Sequence, residues 1–407
     1  MKLKHVVFKE RALKKSINIA LVMMASMVVS AMAEVDVKEV PGRWSVEKAQ
    51  EWYSKQPWLV GCNYIPANAI NQIDMWQAET FDPEMIEQEL ALAESIGFNT
   101  VRVYLHDMVW GADEQGLYKR MDQFLDICAK HGIRPLFLFF DDCHHPRPTL
   151  GKQPLPVPEY HNSGWLNSPG RDVAVAYSKG EASAADQARL KGYVQKTLEQ
   201  FKNDSRVLAW ELYNEPGRGR GLGGDMGSNK ATGAFGDASA QLLMDAWHWA
   251  REVNPSQPIC SSAEGSVGKK NIKIGQINSD IISFHSYAAP KGLERLCKKY
   301  ADLGRPALCT EYLGRPKNTF QSSLPVLKKY NTGAINWGFV AGKTGCVYPW
   351  SSRNGKDVDA LRKQGVVCET IEEMPLPKVW FHEMFYPDHR PFDQAEIDFI
   401  KEIAGTD

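Results

Sequence analysis

Two carboxylates at strand ends are where this chain can do chemistry. Val207-Leu208-Ala209 runs as an apolar strand into Trp210-Glu211-Leu212-Tyr213-Asn214-Glu215, and Pro216-Gly217 stops it directly after Glu215. A second apolar run, A-L-C-T-E-Y at 307–312, carries Glu311 at its close in the same way. A carboxylate in that position is available for proton transfer or for nucleophilic attack, and two that face each other offer both. Whether these two face each other depends on the elements that carry them.

From Pro57 onward the pattern alternates between strand and helix. Strands are expected at 59–64, 99–105, 133–141, 207–215, 258–263, 280–287, 307–312 and 334–340. Helices are expected from Asp82-Pro83 and at 117–130, 182–203, 237–252, 293–303, 320–330 and 395–404. Eight strands in alternation with helices argue for an α/β fold, a (β/α)8 TIM barrel in a single domain over 57–405, after a lead-in at 34–56. An open doubly wound sheet is the competing arrangement, but it wants a glycine fingerprint after its first strand, and that strand ends in Asn63-Tyr64-Ile65-Pro66. In a barrel, the fourth and seventh strands lie on opposite sides of the mouth. Glu215 and Glu311 then face each other across it, at the roughly 5–5.5 Å that a retaining pair requires. The Pro-rich connection at 146–169 is long for a strand-to-helix link and is expected to be a wall or a lid.

An Asn-Glu-Pro closing a buried strand resembles the acid/base strand of the retaining glycoside hydrolases of clan A, family 5 (the cellulase family) in particular. The resemblance implies a general acid/base at Glu215, an Asn214 that holds the sugar 2-hydroxyl, and a nucleophile at Glu311. It further implies that Arg102, in Val101-Arg102-Val103, lies beneath the nucleophile, and that His285 and Tyr287 of Phe284-His285-Ser286-Tyr287 stand beside the catalytic pair. Trp337, in Asn336-Trp337-Gly338, corresponds to the floor of the subsite for the cleaved sugar, and His144, in Asp141-Asp142-Cys143-His144-His145, to a third-strand histidine. Trp165 in the Pro-rich loop is a further candidate sugar platform. The implied activity is hydrolysis of β-glycosidic bonds in a polysaccharide or oligosaccharide of the β-1,4-glucan, mannan or xylan class, by double displacement. Burial and a neighbouring negative charge are expected to raise the pKa of Glu215. An exo-acting glycosidase or transglycosylase on the same scaffold, and a carbohydrate-binding protein without catalysis, are the alternatives.

Other features set the partners. Residues 1–33 carry six basic residues against one Glu, a mostly apolar stretch at 17–29 and Ala31-Met32-Ala33, which reads as a secretory signal and places the mature chain in the periplasm or outside the cell. Its removal takes the formal charge from −1 to −6, which disfavours nucleic acid. The expected partner is a carbohydrate substrate, with no membrane association after cleavage and the oligomeric state left open. The eight cysteines show no C-x-x-C spacing; Cys346 and Cys368, both in the loop after the last strand, are the best candidates for a bridge. No metal or other cofactor is expected, because the first strand lacks the His-x-His of metal-dependent barrels. Gly219-x-Gly221-x-x-Gly224 matches a dinucleotide motif only in form, since it lies well after its strand end. Glu211 is expected to be structural.

Overall fold

The computed structural model describes residues 35–219, 235–265, 267–370 and 372–406. The expected signal at 1–33, and Gly221 and Gly224 of the glycine motif, lie outside these residues. Everything below concerns the compact unit Val37–Asp407. No helix among the described residues is long and apolar enough to cross a membrane.

Nine parallel strands are described: β1 Val60–Asn63, β2 Thr100–Tyr104, β3 Arg134–Asp141, β4 Ala209–Asn214, β5 Ile259–Cys260, β6 Ser262–Glu264, β7 Ile282–His285, β8 Ala307–Glu311 and β9 Gly333–Trp337. They are ordered β5-β4-β3-β2-β1-β9-β8-β7-β6. Strands β5 and β6 are separated by Ser261 alone; the first pairs with β4 and the second with β7. Together they fill the fifth position, so the sheet is an eight-fold (β/α)8 TIM barrel with one broken strand. The expected strand at 258–263 is therefore in two pieces. The cyclic order rules out the open doubly wound sheet.

Local sequence explains the alternation. Asp82 caps the helix Pro83–Ser95 by accepting the Met85 N–H, with Pro83 at its first position. Ser183 and Thr319 cap the helices Ala184–Phe201 and Phe320–Lys329 in the same manner. All but the first residue of β3 are buried, as covering on both faces demands. Register then sets the active end: Asn63 is level with Arg102 and Trp337, Asp141 with Asn214, and His285 with Glu311.

The opposite end is closed by the lead-in. Tyr53, on the helix Val46–Ser54, packs with Leu59, Leu136, Leu208, Ile281 and Leu308. The segment ahead of it is tied down by Trp44 N–H to Asp280 (2.8 Å) and by Arg305 to the Trp44 carbonyl (2.8 Å). The helices Val46–Ser54, Arg171–Ser178 and Lys269–Asn278 were not expected from sequence. The last, KKNIKIGQIN, is short, polar and carries Gly and two Asn, so its apolar period is weak.

The Pro-rich connection at 146–169 is a wall. Asn71 donates to the Gly164 carbonyl (3.0 Å) and Gln72 to that of Leu166 (2.9 Å). From the other side, Arg362 donates to the carbonyls of Leu155 (3.1 Å) and Ser163 (2.8 Å), and Cys368 N–H to that of Pro156 (2.9 Å).

Glu89, fully buried on the helix Pro83–Ser95, receives the Tyr64 hydroxyl (2.8 Å) and the Ala67 N–H (3.0 Å), joining that helix to the end of β1. Burial pushes its carboxyl from 4.5 up to about 8 in spite of these donors. Between those values the folded state holds a proton that the unfolded state has lost, so this group's contribution to stability falls as pH rises through that window. The melting temperature of Glu89→Gln is expected to fall less between pH 5 and 8 than that of the parent protein, as read by thermal denaturation. Equal slopes would show that Glu89 does not titrate there.

Candidate active site

The site is built on one buried cation. Arg102, on β2, donates to Glu211 on β4 (2.7 Å), to Asn63 on β1 (2.8 Å), to Asn214 at the end of β4 (2.7 Å) and to Glu311 on β8 (3.1 Å). It also donates to the Tyr104 hydroxyl (2.9 Å), two residues along the same face of its own strand. Its side chain and that of Glu211 are wholly buried. The expectation that Arg102 underlies Glu311 describes one of its bonds; the shorter ion pair is to Glu211, which also accepts from Ser283 (2.9 Å). Glu211 is structural, as expected.

The two strand-end carboxylates meet. One oxygen of Glu215, one of Glu311 and a ring nitrogen of His285 lie within 4.8 Å of one another. That closeness lets both carboxylates reach one bound sugar. His285 Nδ1 lies 2.8 Å from Glu215 and 3.4 Å from Glu311, and so bridges them. The Tyr287 hydroxyl donates to Glu311 (2.9 Å), and the Tyr104 hydroxyl lies 3.3 Å from its other oxygen. The Glu–His–Glu cluster is tight enough for a cation, but two guanidinium groups, Arg102 and Arg218, already stand against its carboxylates.

Glu215 takes its position through strain and space. It adopts the left-handed conformation (φ 43°), and its N–H is held by Ser262 (2.9 Å). Gly265 leaves room beside it, since a Cβ there would stand 2.8 Å from His285 Nδ1 and 3.0 Å from a Glu215 oxygen.

The electrostatics overturn one expectation. Burial acts to raise Glu215, but the Arg218 guanidinium, 2.5 Å away, together with His285 and the Cys143 thiol, outweighs it and brings the carboxyl down to about 2. The predicted upward shift is thereby reversed. Glu311 moves up, chiefly by burial and the nearby Glu215 charge, against the pull of His285, Arg102 and Tyr287. The largest lowering influence on Glu215 is Arg218, three residues further along the chain. Its guanidinium is anchored on the Gly265 carbonyl (3.0 and 2.5 Å). Its turn is held by Asp142, which accepts the Gly217 N–H (2.7 Å) and faces Arg171.

Asn214 is fixed at both ends of its amide, accepting from Arg102 and donating to Asp141 (2.6 Å), which in turn faces His144 Nδ1 (2.7 Å). The aromatic candidates are brought together but largely covered. Trp337 retains 4% exposure: Trp165 lies 5.0 Å from it, Tyr104 meets it edge-on at 6.0 Å, and His144 stacks at 5.8 Å. Trp165, at 2%, forms part of the wall. Cys346 and Cys368 are both free, which corrects the expected bridge: Cys346 accepts from Trp337 Nε1 (3.4 Å), whereas Cys368 packs in a separate apolar cluster with Tyr348 and Trp380. Tyr104, Asn63 and Asp141 were also missed; Tyr104 was accessible from its i+2 spacing to Arg102.

No family model and no curated protein sequence matches the chain. Solved structures share its barrel. The exo-β-1,4-mannosidase Op5Man5 from Opitutaceae bacterium strain TAV5 is 18% identical with a TM-score of 0.54; the alignment covers 86% of this chain and 59% of that one, so the chain spans well under two thirds of that enzyme's length. The endo-β-1,4-mannanase from Thermotoga petrophila is 13% identical (TM-score 0.53), over 87% of this chain and 77% of the other. GH5_18 from Streptomyces cattleya, solved with GlcNAc, is 11% identical (TM-score 0.53), over 86% and 80%. At these identities the likeness shows the fold.

Removing the central cation tests the network. Arg102→Met leaves Glu211 and Glu311 as buried charges without their partner and is expected to cost about 3–5 kcal/mol in a urea titration. A loss under about 1 kcal/mol would mean that the carboxylates are compensated elsewhere.

Proposed function

We propose that this chain is a retaining β-glycoside hydrolase acting on β-1,4-linked sugars, with the mannan class foremost. The observation that carries the reading is the pair of strand-end carboxylates, bridged by His285 at 2.8 and 3.4 Å and backed by Arg102. Glu311 attacks the anomeric carbon while Glu215 delivers a proton to the leaving oxygen. Glu215 then takes a proton from water, which releases the sugar from Glu311. Arg102, Tyr104 and Tyr287 supply hydrogen bonds that favour the charged nucleophile before attack and the departing carboxylate afterwards. The mannan assignment draws on the names of two of the three barrel structures, an exo-β-1,4-mannosidase and an endo-β-1,4-mannanase. Residues 1–33 support action outside the cytoplasm, in the periplasm or beyond the cell.

Exo action is favoured over cutting within a polymer. Glu215 and Glu311 are each 6% exposed, and the wall at 146–169 is pinned from two sides. A continuous glycan chain needs an open cleft on both sides of the scissile bond, whereas a closed pocket accepts a chain end. A binding role without turnover is disfavoured, because both carboxylates and their supporting donors are in place.

Glu215→Ala is expected to lower kcat/KM about 10²–10⁴-fold on β-1,4-oligosaccharides. The loss should be far smaller on a dinitrophenyl glycoside, whose leaving group needs no proton. Glu311→Gln should abolish turnover of both substrates with circular dichroism unchanged. A folded Glu311→Gln protein that still hydrolyses either one would refute the assignment.

A further inference from the structure

An aromatic cluster leads from the nucleophile toward solvent. Tyr287, whose hydroxyl donates to Glu311 (2.9 Å), meets the Trp350 ring edge-on at 4.7 Å. Trp350, which is only partly buried, lies 5.8 Å from His382, and His382 lies 5.3 Å from His161 of the wall. Ser352, in the short turn Trp350–Arg353, accepts the His161 N–H (2.9 Å), so this turn is docked on the wall as well as on Tyr287. The same turn carries a cation. Arg353 is half-buried, and its positive charge reaches His161, His382 and Cys346, the thiol that accepts from Trp337 Nε1 (3.4 Å). Burial first, and the neighbouring positive charge after it, hold both imidazoles well below their ordinary pKa, His382 at about 3, so both are neutral at working pH. Arg315, the other cation near His382, is paired with Glu396 (2.5 Å). Among the described residues none forms an ion pair with Arg353 or a hydrogen bond with its side chain.

A guanidinium set among aromatic rings matches a sugar that bears a carboxylate, since a ring packs against the apolar face of a pyranose and the planar fork takes the acid group. Two contacts fix where such a sugar would lie. Tyr287 joins Trp350 to Glu311, and Cys346 lies between the charge of Arg353 and Trp337, the candidate floor beneath the cleaved sugar. Both lead to the unit bound for cleavage and not to the leaving group, which belongs to Glu215. We propose that Trp350 and Arg353 form a specificity subsite on the Glu311 side of the pocket that takes a hexuronic acid, with its ring against Trp350 and its carboxylate on Arg353. The assignment rests on the glycosidase reading of the site and makes the substrate an acidic glycan. The carboxylate belongs to the cleaved sugar itself or to a uronic acid joined to it on the side away from the leaving group; either presents the same group to Arg353.

The test is hydrolysis of paired nitrophenyl β-glycosides. One set compares mannose with mannuronic acid, and glucose with glucuronic acid, as the cleaved sugar. The other keeps a neutral cleaved sugar and extends it at O4 with either a β-linked hexuronic acid or the matching neutral hexose. In the series of the better-cleaved hexose, the acidic member of one set is expected to raise kcat/KM by about tenfold or more, the scale of one charge-assisted hydrogen bond. A gain in the first set places the carboxylate on the cleaved sugar, and a gain in the second places it on the unit beyond. The ratio of acidic to neutral cleavage should shrink to about twofold in Arg353→Gln and be partly kept in Arg353→Lys, which retains the charge without the fork. Equal or better cleavage of the neutral members in both sets overturns the proposal and leaves the glycosidase reading intact. So does a ratio that is unchanged in a folded Arg353→Gln protein. Failure of the folded parent enzyme to cleave any of these glycosides overturns both.

Discussion

The mouth of this barrel depends on the hydrogen bonds of Arg102. One guanidinium at the centre of the barrel joins β1, β2, β4 and β8 through Asn63, Tyr104, Glu211, Asn214 and Glu311. Two of those partners are buried carboxylates, and Arg102 is the counter-charge in contact with both. Its rigid fork also sets angles, so Asn214 and Glu311 are oriented by the same group that compensates their surroundings. The cation is thus both the electrostatic floor of the site and the joint that keeps opposite strands in register.

The rest of the chain protects that arrangement. Tyr53 and the lead-in helix fill the end of the barrel away from the chemistry, so the interior below Arg102 is closed. Above it, the wall at 146–169 is bonded to the segment around Asn71–Gln72 on one side and to Arg362 and Cys368 on the other. The wall carries Trp165 onto Trp337 and Tyr104. Among buried groups hydrogen bonds to charge are strong and unpaired charges are expensive.

Much of this was legible in the sequence, for a physical reason. A largely apolar strand that ends in Glu-Pro or Glu-Tyr places a carboxylate at a barrel rim. His285 and Tyr287 share a face because strands have period two, and a lone Arg at 102 inside an apolar run demands an acidic partner. What escaped notice depends on contacts between segments far apart in the chain. No local pattern places Cys346 against Trp337 and Cys368 in another cluster, or breaks the fifth strand at Ser261. The helix Lys269–Asn278 is too polar to show a clear period. The largest omission was Arg218: it lies only three residues from Glu215, yet its effect comes from a turn held by Asp142 and from the Gly265 carbonyl, neither of which is near it in sequence. With His285 and Cys143 it reversed the expected direction of the Glu215 pKa, because the three together outweigh burial.

The central claim is that Glu311 forms a covalent bond to the sugar. The direct measurement is mass spectrometry of the protein, intact and after peptic digestion, following incubation with 2-deoxy-2-fluoro-β-mannosyl and -glucosyl fluorides, which slow release of a glycosyl-enzyme. The account predicts loss of activity together with one added fluoroglycosyl mass per chain, on the peptide that contains Glu311. Hydrolysis whose first product has the inverted anomeric configuration, with no adduct on that peptide, would contradict it.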